Sequence, residues 1–138
     1  MNSHISLNWL KQMAFETSVN GHRLVVDADE SVGGSNRGPR PKPLLLVALA
    51  GCTAMDVVSI LEKMRVKPDG FSVEVDGELT DEHPKVYKSL HVTYRFNGKD
   101  LPIDKLEKAI NLSQEKYCGV SAMLSKASAL SFAIVVED

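Results

Sequence analysis

Residues 44–65 read LLLVALAGCTAMDVVSILEKMR. No proline or turn pair interrupts this stretch, and it predicts one helix over Leu44 to Arg65, roughly 33 Å long at the standard rise. Its first half is apolar all round, so burial on every side is expected. A chain of 138 residues has little material to surround such a helix. Packing against a second copy would supply the missing cover. The apolar run Leu44 to Met55 ends at Asp56, short of the roughly 20 residues that a membrane span needs. A buried core helix is therefore expected, with no membrane. Glu62, Lys63 and Arg65 make the last turns wetter, and the basic pair suits a helix C-terminus.

Upstream, Ser31 to Pro43 is a loop, since Gly33, Gly34, Gly38, Pro39, Pro41 and Pro43 break helix and strand alike. Before it, Met13 to Val19 alternates apolar and polar residues. Asn20-Gly21 marks a hairpin turn, because both residues tolerate positive φ. His22 to Asp29 returns as a strand, and Ile5 to Leu10 supplies a first one. Downstream, Phe71 to Leu79 and Leu90 to Phe96 alternate as one-face strands, with a turn over Asp81 to Pro84. Pro102 suits the first turn of a second helix, whose apolar stripe is Ile103, Leu106, Ile110 and Tyr117. Cys118-Gly119 interrupts it. Val120 to Ala127 reads as a third helix and Leu130 to Val136 as a closing strand. There is no repeat or linker, so residues 1–138 read as one α+β domain.

The formal net charge is −2 and aromatic residues make up 6%. No strong field recruits nucleic acid or an anionic membrane, and base-stacking platforms are not expected. Met1 to Leu10 has no basic region followed by an apolar run, so no secretory signal is expected and the cytoplasm is the expected compartment. Two cysteines in such a chain imply no disulfide framework. Cys52 lies about 12 Å inside its helix, beyond reach of the dipole, and apolar neighbours disfavour its thiolate. A cation from elsewhere is needed, and Arg37 and Arg40 on the preceding loop are candidates. Ordinary loop solvation is the other reading of both. Cys118 precedes a helix N-terminus, which favours an anion. Asp56, one turn after Cys52, either closes a buried polar network or sits by the thiol. His4, His22, His83 and His91 lack metal-ligand spacing. Met55, Met64 and Met123 fit core packing. Glu74, Asp76 and Glu78 form an acidic strand face, expected to be solvated.

Two segments then combine. Gly38 to Val58 reads GPRPKPLLLVALAGCTAMDVV, and Lys116 to Leu124 reads KYCGVSAML. An apolar helix carrying Ala-Gly-Cys, with a later Cys-x-Val-Ser opening a short helix, resembles the osmotically induced protein C / organic hydroperoxide resistance family. The wording around Cys52 is nearest to its uncharacterised OsmC-like branch. The resemblance implies an OsmC-like fold: an intertwined homodimer with long central helices packed between two antiparallel sheets and active sites at the interface. It implies a thiol peroxidase without metal or organic cofactor. In that reaction Cys52 attacks an organic hydroperoxide, Cys118 resolves the sulfenic acid as a disulfide, and an external dithiol, small molecule or protein, reduces it. The chain departs from the best-known members at two places. Lys42 and Pro43 stand where an acidic residue is usual, and a position near Val19 stands where an arginine is usual. A non-peroxidatic binding or redox-sensing dimer is the alternative.

Overall fold

The computed structural model describes residues Met1–Asp138. The chain forms two units, Met1–Leu45 and Leu46–Asp138. In the first, β1 (Asn8–Lys11), β2 (Ala14–Val19) and β3 (His22–Val26) make an antiparallel sheet in that order. The β2–β3 turn has φ of 51° at Asn20 and 84° at Gly21, so both turn residues sit in the left-handed region expected of Asn-Gly. The first strand starts at Asn8, later than the expected Ile5. β3 stops at Val26, short of the expected Asp29. The reason is local: the Asp27 N–H donates to Pro39 O at 3.2 Å, and its carboxylate accepts the N–H groups of Ala28, Arg37 and Ser35. The backbone thereby turns to the loop. That loop passes so close to the strand that a Cβ on Gly34 or Gly38 would lie 2.0 Å from a backbone carbonyl oxygen, of Ala28 or Val25 respectively. No other residue type fits either place without moving the chain.

The second unit is built on α1 (Leu44–Lys63), which begins at the boundary where the proline-rich loop ends. Its C-terminus closes with Arg65 at φ 60°, Val66 N–H on Leu61 O, and Arg65 N–H on Glu62 O. This double-bonded αL ending, with Val66 and Leu61 both buried, stops the helix before the expected Arg65. β4 (Gly70–Leu79) pairs antiparallel with β5 (Tyr87–Asn97). The chain then crosses through α2 (Ile103–Leu112), a wide π-type turn over Ser113–Tyr117, and α3 (Gly119–Leu124) to β6 (Ala129–Glu137). β6 pairs parallel with β5, so the second sheet is mixed and not antiparallel as expected. A helical crossover carries the chain back to the end of the sheet where β5 began, and parallel pairing is what such a connection permits.

β5 is the middle strand and supplies much of this unit's core: Tyr87, Leu90, Val92, Tyr94 and Phe96 are buried on one face. α1 lies in the same cluster and buries Leu49, Thr53, Val57 and Leu61, one residue per turn. The expectation of burial on every side is not met within one chain: Leu45, Val47, Met55 and Val58 are exposed. α1 is long and apolar enough to cross a membrane by length and composition, yet Thr53 and Asp56 in its middle are hydrogen-bonded to other elements of this unit. The α2 stripe also differs from expectation. Leu106, Ala109 and Ile110 are buried, with Ser113 next along the face, while Ile103 and Tyr117 are exposed. The π-type turn has carried Tyr117 off that face. Glu74, Asp76 and Glu78 are solvated as expected, with Glu74 and Glu78 paired to Arg95 and Lys88.

Candidate active site

Cys52 and Asp56 sit one helical turn apart on α1, on neighbouring positions of one face. Cys118 arrives from the other direction. Its N–H closes the π-type turn on Ser113 O at 2.7 Å, and its extended backbone makes it the N-cap of α3. In that role its sulfur accepts the Ser121 N–H at 3.3 Å. The Cys52 sulfur, the Cys118 sulfur and an Asp56 carboxylate oxygen all lie within 4.8 Å of one another. Cys118 is 3% exposed, and Cys52 and Asp56 are half-buried. Of the two thiols, Cys52 is the more accessible.

Behind this trio runs a buried hydrogen-bond chain that sequence reasoning missed. The Gln114 side-chain amide bonds Tyr94 Oη, Tyr94 Oη meets Thr53 Oγ1 at 2.6 Å, Thr53 meets Ser113 Oγ at 2.8 Å, and Ser113 donates to Asp56 Oδ2 at 2.9 Å. Each hydroxyl has one proton, so the ends fix the direction. Gln114 N–H and an ionised Asp56 can only donate and accept, respectively. Tyr94 therefore donates to Thr53, Thr53 to Ser113, and Ser113 to Asp56. Every dipole points at the carboxylate, which is how a half-buried anion is held without a cation. Asp56 thus both closes a polar network and sits by the thiols. The only sequence sign of the network is a threonine in an apolar helix and a tyrosine on the inward face of β5.

Burial pushes the Cys52 thiol up, and Cys118 and Asp56 act in the same direction, Cys118 by hydrogen bond and charge and Asp56 by charge. The Val120 N–H, at the start of α3, pulls it back down. Burial likewise raises the Tyr94 phenol, against the pull of its Thr53 and Gln114 hydrogen bonds. No arginine or lysine is among the groups shifting Cys52.

Both candidate arginines belong to the first unit. Arg40 donates to Gly38 O at 2.8 Å and Asn36 Oδ1 at 2.7 Å, and pairs loosely with Asp29 at 3.5 Å. Arg37 gives its backbone N–H to Asp27 and has no side-chain hydrogen bond. His91 Nδ1 meets Ser131 Oγ at 2.7 Å on the exposed sheet. Of the methionines expected in the core, Met64 packs against it, while Met55 and Met123 are exposed.

Residues 33–132 match the family model described as OsmC-like protein, a span that includes parts of both units. The chain is 33% identical to Protein YhfA of Escherichia coli K12 over 122 residues, 88% of each protein. A hypothetical protein from Aquifex aeolicus VF5 has the same fold at a TM-score of 0.83 and 27% identity, covering 100% of this chain and 99% of that one. An organic hydroperoxide resistance protein OsmC from Legionella pneumophila shares the fold at a TM-score of 0.69 and 14% identity, covering 98% and 97%.

Proposed function

Because the chain belongs to the OsmC-like protein family, we propose that it is a cysteine-based peroxidase that reduces organic hydroperoxides. The observation that carries this reading is the meeting of two free thiols from distant segments, the accessible one on α1 and the buried one at the start of α3. The Cys52 thiolate attacks the peroxide O–O bond, which breaks. The alcohol leaves with a proton and Cys52 becomes a sulfenic acid. Cys118 then attacks that sulfur, water departs, and a Cys52–Cys118 disulfide forms. An external dithiol returns the two electrons by thiol–disulfide exchange. The approach to bonding distance needs a small shift of Cys118. Gly119 next to it has open space where a side chain would be, so the backbone there has room to follow.

The exposed apolar face of α1, with Leu45, Val47, Met55 and Val58, supports a homodimer formed through that helix. An obligate interface of this kind buries more than about 2,000 Å². The cation that Cys52 needs comes in this reading from the Ser31 to Pro43 loop, of the same chain or of a second copy. Arg37, whose guanidinium is uncommitted, is the first choice and Arg40 the second. The cytoplasm, where thiols are kept reduced, is the compartment that suits the cycle. Peroxide consumption with a dithiol reductant tests the reading. Oxidation with one equivalent of organic hydroperoxide should link the Cys52 and Cys118 peptides. Sulfinic acid on Cys52 with Cys118 still free would remove the resolving role. Arg37→Ala and Arg40→Ala variants that leave the Cys52 pKa unchanged would remove the loop cation.

A second reading has a specific observation behind it. Cys52 is pushed toward the neutral thiol by burial, by Cys118 and by a carboxylate. A non-peroxidatic binding dimer tolerates that, whereas a fast peroxidase does not, and a redox sensor would need some other group to favour its thiolate. Failure of both thiols to react with peroxide would favour it.

A further inference from the structure

We infer that Cys52, Asp56 and Cys118 form a binding site for a soft divalent cation, zinc in the first place, with a fourth coordination position open to solvent. The inference needs only reduced thiols and does not depend on peroxidase activity.

The donor atoms are two sulfurs and one carboxylate oxygen, mutually within 4.8 Å. Tetrahedral zinc takes sulfur at about 2.3 Å and oxygen at about 2.0–2.2 Å, which sets ligand atoms roughly 3.5–3.8 Å apart. The three donors therefore need to close by about 1.3 Å at most, within side-chain rotation. Two come from adjacent turns of a rigid helix, and the third from a helix cap whose backbone is pinned by Ser113 O.

Outer hydrogen bonds already orient two of the donors, Asp56 and Cys118. Ser113 holds Asp56 Oδ2 at 2.9 Å, and the other carboxylate oxygen is not committed to any side chain or backbone group. The Ser121 N–H holds the Cys118 sulfur at 3.3 Å. Ligands fixed from behind in this way are the usual support of a protein metal centre. The chain behind Asp56 reaches as far as Tyr94 and Gln114.

The donor chemistry selects the ion. Two thiolates disfavour magnesium and calcium, and sulfur with one oxygen suits zinc, cadmium or cobalt(II). Three protein donors leave one tetrahedral position free, and half-buried Cys52 and Asp56 leave a path to it. A bound ion would mask both thiols, so peroxide and metal would compete for the same sulfur.

The experiment is anaerobic titration of the reduced, metal-free full chain with cobalt(II), then displacement by zinc. One equivalent per chain should saturate a thiolate-to-cobalt charge-transfer band and intense tetrahedral ligand-field bands. Cys52→Ser and Cys118→Ser should each lose about half the charge-transfer intensity and weaken binding at least tenfold. Ser113→Ala, which frees the carboxylate from behind, should weaken it about tenfold or more. Zinc should also slow alkylation of both cysteines in the unaltered protein, a readout that needs no variant. Absence of the charge-transfer band at one equivalent would overturn the inference. So would a weak octahedral spectrum, or binding that survives both cysteine substitutions. Failure of the peroxidase assay leaves these readouts untouched, and a dry metal site leaves the peroxidase assay untouched.

Discussion

Thr53 follows Cys52 in the chain and is wholly buried, with its hydroxyl between Tyr94 and Ser113. Thr53→Val keeps the shape and removes both hydrogen bonds. Tyr94 is left without an acceptor and Ser113 without a donor, so a loss of about 1–3 kcal/mol is expected in urea unfolding. Asp56 is the other end of the same chain. Its negative charge is among the groups that hold the Cys52 thiol up. Asp56→Asn should lower the Cys52 pKa, seen as faster alkylation by iodoacetamide near neutral pH. A raised or unchanged pKa would show that the carboxylate acts on Cys52 by some route other than its charge. These residues also mark where sequence reading stopped. Asp56 was visible because a charge in an apolar run stands out. Thr53, Tyr94 and Ser113 were not, because they come from a helix, a strand and a turn, and no periodicity joins them.

α1 presents two faces with different tasks. Leu49, Val57 and Leu61 pack into the core of the second unit, while Met55 and Val58 lie in the open. Val58→Lys should leave the circular dichroism of the chain unchanged and shift light scattering from dimer to monomer at micromolar concentration. A dimer that persists would place the interface elsewhere. The element boundaries that sequence predicted well are those set by local rules: the Asn20-Gly21 turn, the alternation in β4 and β5, and the uninterrupted run of α1. The ones it misjudged depend on distant partners. β3 ends early because Asp27 binds the loop. The parallel β5–β6 pair needs the length of the crossover, and strand composition alone does not reveal it.

Across the whole chain, the acid response belongs to the first unit. The Arg37, Ala28 and Ser35 N–H groups hold the Asp27 carboxyl below the usual range, Arg37 foremost and against the pull of burial. Asp29 is held down by the Ser31 hydroxyl and N–H, with a smaller share from Arg40. Carboxyls depressed in the folded state stabilise it above their unfolded values, and that stability fades as pH falls through the folded ones. The β1–β3 unit should therefore begin to lose protection from amide exchange below roughly pH 5, where unfolded carboxylates begin to protonate. Asp27→Asn should flatten that acid limb and lower stability near neutrality. An acid limb unchanged by the substitution would point to other carboxylates. The π-type turn before Cys118 has a different kind of consequence, one written in the gene. A regular α-helix accommodates one residue fewer over that stretch. Deleting the codon for exposed Glu115 should leave an ordinary helix and a folded protein, with Cys118 rotated by about 100° away from its partners. One codon would then separate a lineage whose two sulfurs meet from one in which they cannot.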